Sequence, residues 1–554
     1  MKDAPINYHL GNYQKLAENA WEKAKKNEVA RRIRAKDHTL WSVSPEEIVN
    51  RLGWLDAPGQ TLKKINYTQD TLAPLAGKKI KDVILLGMGG SSLAAEVFSR
   101  VFGAAPGYPQ LTVLDTTDPA AISNVSQKIG WDHAIFIVSS KSGTTLEITS
   151  LFHFFYHEAR KRKGVSAGDH FIFITDEGSP LAQTAGEISP FHIFLNNPDI
   201  GGRYSALSFF GIIPAAVVGI DVKKLLHNAQ AAANSADHTA VMLGAALGAL
   251  AYQGCDKLTL YLPARWEAFG DWLEQLIAES TGKNGRGIIP VLAEPDADVS
   301  CYAQDRVFVF LQNENDISSR VKDLSAAGHP VVTVKIKTEY DLGTQMYIWE
   351  MATAAAAYFL GVNPFDQPDV EATKIYTRKI IEAHEKNEIA EERKPVFSEN
   401  DVKIYGDTSG NNLKDVFNNF FKQSRAGDYI CLQNYLSPSA EIDRVVARLR
   451  AAIFQKYKMP VTHGYGPRYL HSTGQLHKGG ANRGLFVQMT GENRVDVAIP
   501  EDLNTDRSSL SFGALKYAQA RGDFLALAEK GRRVIRVHCL KDAAAFLKKL
   551  AATL

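Results

Sequence analysis

The stretch Ala134-Ile-Phe-Ile-Val-Ser-Ser-Lys-Ser-Gly-Thr-Thr-Leu-Glu147 constrains the fold more than any other part of the chain. Its apolar run, 135–138, has no alternating polar positions and reads as a strand buried on both faces of a parallel sheet. Seven residues rich in hydroxyls follow, and then an apolar helical pattern at Leu146, Leu151, Phe154 and Phe155. A strand that runs through such a turn into a helix start presents free backbone N–H groups and a positive dipole end to an anion. Gly143 lets the backbone approach closely, and the hydroxyls of Ser140, Ser142, Thr144 and Thr145 add donors. A plain capping box of Thr144 and Glu147 would account for one hydroxyl and the carboxylate, but not for four hydroxyls around a glycine. The stretch is expected to hold a phosphate.

The same strand–turn–helix unit recurs upstream in Val83-Ile-Leu-Leu-Gly-Met-Gly-Gly-Ser-Ser-Leu93. Further strands are expected over 111–115 and 171–175, each separated from the next by a helical stretch. That alternation predicts an α/β fold with a doubly wound parallel sheet and its ligand loops at the strand carboxyl ends. The glycine turn also invites a dinucleotide reading, with Asp115 as the ribose acid. However, Ser92 stands where the third glycine of that fingerprint belongs, and two separate hydroxyl turns suit one compact phosphate better than a pyrophosphate.

Ahead of this sheet, residues 1–55 carry charged helical patterns, with Ser44-Pro45-Glu46-Glu47 as a helix start. Beyond it, Gly201-Gly-Arg-Tyr-Ser205 brings backbone close to something and sets a permanent cation, Arg203, beside it. A second α/β unit has strands at 258–262, 307–311 and 331–335 and a helix over 266–280 with Trp272, Leu273, Leu276 and Ile277 as its apolar stripe. Gln275 and Glu279 lie one turn apart on that helix. Glu279, next to Leu276 and Ile277, reads as a partly dry carboxylate suited to a general base, against the plainer alternative of a solvent-facing helix end. An Ala-rich helix over 346–360 and a loop over 361–374 complete the unit.

Residues 391–425 turn polar and read as a linker. A third α/β pattern follows, with strands at 429–432, 461–463, 485–489 and 534–539 and helices at 441–456 and 543–550. Between its strands, 464–480 reads as a long Gly- and His-rich loop, functional or mobile. Metal binding there by His463, His471 and His477 lacks an acidic ligand nearby.

Composition narrows the class. The 554 residues are 45% hydrophobic, enough for large cores and about three domains. A net charge of +2 gives no electrostatic case for nucleic acid or a membrane. Cys255, Cys301, Cys431 and Cys539 are far apart and read as buried thiols of a reducing compartment. The start is polar and no run approaches a membrane span, so a cytoplasmic chain is expected.

Taken in order, Gly87-Met-Gly-Gly-Ser-Ser, Ser140-Lys-Ser-Gly-Thr-Thr, Gly201-Gly-Arg-Tyr-Ser, Gln275…Glu279-Ser-Thr-Gly-Lys and Asp366-Gln-Pro-Asp-Val-Glu-Ala-Thr-Lys374 resemble the glucose-6-phosphate isomerase family over residues 80–380. Lys36-Asp-His-Thr-Leu-Trp41 and Leu470-His-Ser-Thr-Gly-Gln-Leu-His-Lys-Gly-Gly480 look most like the isomerase half of bifunctional transaldolase/glucose-6-phosphate isomerase proteins. With no room for a transaldolase barrel before residue 36, only isomerase activity is implied. The likeness implies two doubly wound SIS (sugar isomerase) domains, at 56–222 and 223–390, and a C-terminal α/β domain at 426–554. It also implies that Gly90, Ser91, Ser140, Ser142 and Thr145 take the phosphate. Glu279 would move a proton between sugar C1 and C2 through a cis-enediolate, with Gly202 and Arg203 stabilising its charge. Gln275 and Gln367 would position hydroxyls, and Lys374 would assist ring opening. No metal or cofactor is called for.

One departure from the family pattern stands out. Family members supply a ring-opening histidine after the catalytic Glu, from the partner of a dimer, yet 293–305 contains none, and His329 belongs at the wrong end of its sheet. The third domain is therefore expected to offer His477, or else His471, in cis, so that the chain works as a monomer or a homodimer. Two alternatives remain: an isomerase of a C6-sulfonated sugar such as sulfoquinovose, and a non-catalytic SIS sugar-phosphate sensor. A sensor would need the hydroxyl turns but not Glu279, Arg203 and Lys374 together.

Overall fold

The computed structural model describes residues 6–313, 318–386, 394–399 and 401–554. Its first sheet has five parallel strands in the order Gln110–Leu114, Asp82–Leu86, Ala134–Ser139, Phe171–Asp176, His192–Asn196. Every residue of Ala134–Ser139 is buried, as a central strand covered on both faces requires. The chain leaves Asp82–Leu86 toward one edge and returns on its other side, so the switch point lies between that strand and Ala134–Ser139. Both glycine–hydroxyl turns open there, side by side.

The second sheet runs Ile6–His9, Val331–Ile336, Arg306–Asn313, Lys257–Tyr261, Ile289–Leu292, with only the first strand antiparallel. The third runs Phe397–Glu399, Val402–Gly406, Arg533–Cys539, Gly484–Gly491, Tyr429–Asn434, Val461–Tyr465, its last four strands parallel. This is an α/β molecule of parallel, doubly wound sheets. Among the described residues no helix is long and apolar enough to cross a membrane.

Several sequence expectations need correction. The segment read as a linker holds two strands, Phe397–Glu399 and Val402–Gly406, and the Leu413–Phe421 helix, all packed into the third unit. Alternating Val402, Ile404 and the Phe-rich helix carry that packing amid polar neighbours; Glu391, Glu392 and Arg393 lie outside the described residues. Ser44–Glu47 starts no α-helix. Glu47 sits at φ +56°, and the Ser42 and Ser44 hydroxyls accept from the N–H groups of Ser44 and Glu46, which favours turns over helix. The 464–480 loop is ordered, with a 3-10 turn at Arg468–His471 and a helix at Gly474–Gly479.

The strands Ile6–His9, His192–Asn196 and Ile289–Leu292 and the helix Phe512–Glu529 had no clear sequence signal. The helix is buried on nearly every side, Lys516, Gln519, Arg521 and Asp523 included, so it lacks the apolar stripe that marks a surface helix. Gly522 lets it lie against the Glu371–Glu385 helix: a Cβ there would meet the Thr377 hydroxyl at 2.5 Å.

Candidate active site

Four backbone segments meet above the first sheet. A Cβ on Gly90 would fall 2.0 Å from the Gly202 carbonyl, and one on Gly89 would fall 2.8 Å from Gln275 Nε2 and 2.9 Å from the His471 carbonyl. Gly89 also sits at φ +54°, so glycine is required there by both space and conformation. The Ser205 hydroxyl donates to the Gly90 carbonyl at 3.1 Å and ties the Arg203 turn down.

Arg203 and Glu279 face each other. The Arg203 side chain is 4% exposed, and its Nε lies 3.3 Å from Glu279 Oε2. Its other nitrogens donate to the carbonyls of Pro364 at 3.2 Å, Phe365 at 3.3 Å and Asp366 at 3.2 Å, and to Gln367 Oε1. The planar fork is thus held by main chain, with Nε left toward the carboxylate. Gln275 Nε2 donates to Glu279 Oε2 at 3.2 Å and to the His471 carbonyl at 2.7 Å. Glu279 keeps 15% of its side chain open, enough for a small ligand to reach it.

Thr145 is the N-cap of the Leu146–Lys163 helix and makes no side-chain cap bond. The Ser140 hydroxyl accepts from Gly143 N–H at 3.1 Å, and Ser142 and Thr144 hydroxyls pair at 3.0 Å. The capping box is absent here because the Glu147 carboxylate serves elsewhere. It meets His471 Nε2 at 2.8 Å and accepts from Gln519 Nε2 at 2.8 Å. Burial alone would lower the His471 pKa, but Glu147 outweighs burial and holds it above the ordinary histidine value. Burial likewise pushes Glu147 up, and the imidazole more than offsets it, so that its pKa is lowered. Glu279 and Lys374 also act electrostatically on His471, the first raising its pKa and the second lowering it.

His477 is not there. It is buried in the third unit, its Nδ1 3.3 Å from Gln433 Nε2 and its ring edge-on to Phe486, and burial drives its pKa well below 6.5. Of the two third-unit histidines, His471 is the one the fold brings to Glu279. Lys374 stands in the first turn of the Glu371–Glu385 helix, 58% exposed, 3.1 Å from Glu371. Asp115 is no ribose acid: it accepts from Ser92 at 3.4 Å and pairs with Arg468 at 3.3 Å.

Further residues hold the site together. Lys283 is buried and pairs with Asp366 at 2.8 Å, pinning the loop whose carbonyls hold Arg203. Burial, with Arg203 adding to it, pushes its pKa down to about 7. Arg468 reaches Glu96 at 2.6 Å and Asp271 at 3.3 Å as well as Asp115, fixing the 468–471 turn to both neighbouring units. Gln519 rides on the helix that sequence patterning missed. Among the described residues no group of three or more His, Cys, Asp or Glu is arranged to hold a metal.

A sequence model of the family described as phosphoglucose isomerase matches residues 57–286, which contain both turns, Arg203, Gln275 and Glu279. A probable glucose-6-phosphate isomerase of Haloarcula marismortui is 30% identical over 372 residues, an alignment covering 58% of this chain and 83% of the relative. The chain belongs to the phosphoglucose isomerase family. Another relative of that family, a probable glucose-6-phosphate isomerase of Methanococcus maripaludis, is 27% identical, covering 61% of this chain and 85% of its own. The fold of the family is also seen in two solved structures. A hypothetical protein of Thermus thermophilus matches with a TM-score of 0.58 at 22% identity, over 68% of this chain and 99% of that one. A glucose-6-phosphate isomerase of Chlamydia trachomatis matches with 0.57 at 17% identity, over 70% of this chain and 89% of its own.

Proposed function

We propose that this phosphoglucose isomerase family member interconverts glucose 6-phosphate and fructose 6-phosphate in the cytoplasm. The observation that carries the reading is the facing of Glu279 and Arg203 at 3.3 Å beside two anion-binding turns. Gly90, Ser91, Ser140, Ser142 and Thr145 take the phosphate, and the Leu146–Lys163 dipole adds to their pull. His471 takes the O1 proton of the closed sugar and delivers it to the ring oxygen O5 as the C1–O5 bond breaks. Lys374 assists from the mouth. Glu279 then removes the C2 proton, and the electron pair forms the C1=C2 bond of a cis-enediolate, its charge resting on O1 against Arg203 and the Gly202 backbone. Return of the proton to C1, with proton exchange between O2 and O1, gives the ketose. Gln275 and Gln367 hold hydroxyls in register. A preorganised donor of this kind contributes about 3–4 kcal/mol to the transition state.

Because His471 comes from the same chain as Glu279, one copy suffices for a complete site. The flanking segments 36–41 and 470–480 resemble the isomerase half of bifunctional transaldolase/glucose-6-phosphate isomerase proteins. A sulfonate would fit the same hydroxyl turn, so sulfoquinovose belongs beside the phosphosugars in any assay.

The test is a variant set assayed for isomerisation and for deuterium uptake at C2 from solvent. Glu279→Gln should lower both by about 10²–10⁴-fold. His471→Asn should slow turnover while His477→Asn leaves kcat near native. Retention of C2 exchange in Glu279→Gln would overturn the reading, and equal rates in the two histidine variants would remove His471 from it.

A further inference from the structure

One face of the third sheet changes character halfway along its strands. Register places Tyr405, Arg536, Gln488 and Gln433 side by side in one cross-strand row, and Lys403, His538 and Thr490 in the next. Tyr435 extends that second row, its N–H donating to the Met489 carbonyl at 2.8 Å. The row on the other side, Val534, Phe486 and Cys431, is apolar and lies under Phe524 and Leu527 of the Phe512–Glu529 helix. The opposite face is mostly apolar, with Ile430, Leu432, Leu485, Val487, Ile535 and Val537 in one core, and its polar pair Asn434 and His463 meet each other at 3.3 Å. Covered parallel sheets ordinarily read as apolar on both faces, so the polar rows call for a cause.

Their burial sharpens the point. Gln433 and Gln488 are both 0% exposed. Among the described residues neither amide atom of Gln488 has a hydrogen-bond partner, nor has Oε1 of Gln433. Stranded polar groups of this kind are costly, and the Tyr435 hydroxyl, likewise buried and without a hydrogen-bond partner among the described residues, lines a cavity. Over the second row opens a cavity of about 360 Å³, lined by Lys403, Tyr435, Thr490, Lys516, Tyr517 and His538 among others. It lies at the carboxyl ends of Gly484–Gly491 and Arg533–Cys539 and beside that of Tyr429–Asn434, on the side to which the chain crosses back after Val461–Tyr465. Open α/β sheets bind their ligands at that topological position.

Charge narrows the ligand. Lys403, Lys516 and His538 line the cavity. Against them stand Asp118, 2.8 Å from Lys516, and the rim carboxylate Glu492, 3.0 Å from His538. Lys403 has no ion-pair partner among the described residues. We propose that this cleft is a second binding site, for a small polyhydroxylated metabolite carrying one phosphate. The phosphate sits against Lys403, and the hydroxyls reach Tyr435 and Thr490 on the cavity wall. None of the lining residues belongs to the isomerase site, so the proposal does not rest on the catalytic reading.

Isothermal titration of the full chain with 6-phosphogluconate, and with gluconate as the phosphate-free control, tests it. Two sites per chain are expected for the phosphorylated probe, the second with Kd below about 1 mM. Ser140→Ala/Thr145→Ala should leave only the third-unit site. Lys403→Glu, and separately Thr490→Tyr to fill the cavity, should leave only the isomerase site, with kcat unchanged. A single site in the native chain that Lys403→Glu and Thr490→Tyr do not touch would overturn the proposal, as would gluconate binding as well as its phosphate ester.

Discussion

At the scale of single residues, the contact that decides most is Glu147 against His471. A base that must be free of its proton loses activity as pH falls through its pKa, and here Glu147 holds that pKa above the usual histidine value. Replacing Glu147 with Gln removes the opposing charge and leaves burial, which lowers it. The acid limb of the kcat profile should therefore move to lower pH in Glu147→Gln, and a profile that stays in place would separate the carboxylate from catalysis. This residue stood in plain view within the first motif, yet helical spacing made it look like a cap. What gave it another task is a side chain more than three hundred positions away, and no local pattern carries that. Glu279, Arg203 and Gln275 were legible because their neighbours, an apolar stripe and paired glycines, are local.

At the scale of elements, the short turn Arg468–His471 does the positioning. Its guanidinium joins Glu96, Asp115 and Asp271, and Ser472 donates to Glu274 at 3.3 Å. Arg468→Ala removes no sugar-contacting group but frees the turn that carries His471, and misplacement by about 1 Å costs on the order of 10²-fold in rate. The expected result is a fall in kcat with KM little changed, and Arg468→Lys should recover part of it, having the charge without the fork.

The same cluster sets a pH dependence. Burial and then Asp271 raise the Glu274 carboxyl from 4.5 to about 8, so the folded chain keeps a proton that the unfolded chain has released. Stability from this group is full below about pH 4.5 and is lost as pH rises toward 8, and melting of the Arg468→Ala chain should show a steeper decline. The element-level misses have one cause. Strands such as Val402–Gly406 and the Phe512–Glu529 helix are stabilised by partners distant in sequence, and their own residues carry mixed polarity.

At the scale of the whole molecule, the third unit completes a site begun by the other two. If each chain is self-sufficient, mixing Glu279→Gln chains with His471→Asn chains gives no more activity than the sum of the separate samples. Recovery on mixing would show histidine donation between copies, as isologous dimers permit. The architecture of the two parallel sheets was legible from alternating strands and turns. How the third packs on them was not, because polar seams such as Lys516–Asp118 at 2.8 Å and Thr117–Gln519 at 2.7 Å look in sequence like ordinary surface residues.

The Phe512–Glu529 helix belongs to both ends of that arrangement. Its Gln519 touches the carboxylate that orients the imidazole, and its Lys516, Tyr517 and Ala520 wall the cavity of the third sheet. A saturation-mutagenesis map of this protein would consequently show a stripe of inactive variants along a helix that meets no sugar carbon, and a designer wishing to graft the C-terminal unit elsewhere would have to carry that helix's footing on Asp118 and Glu147 along with it.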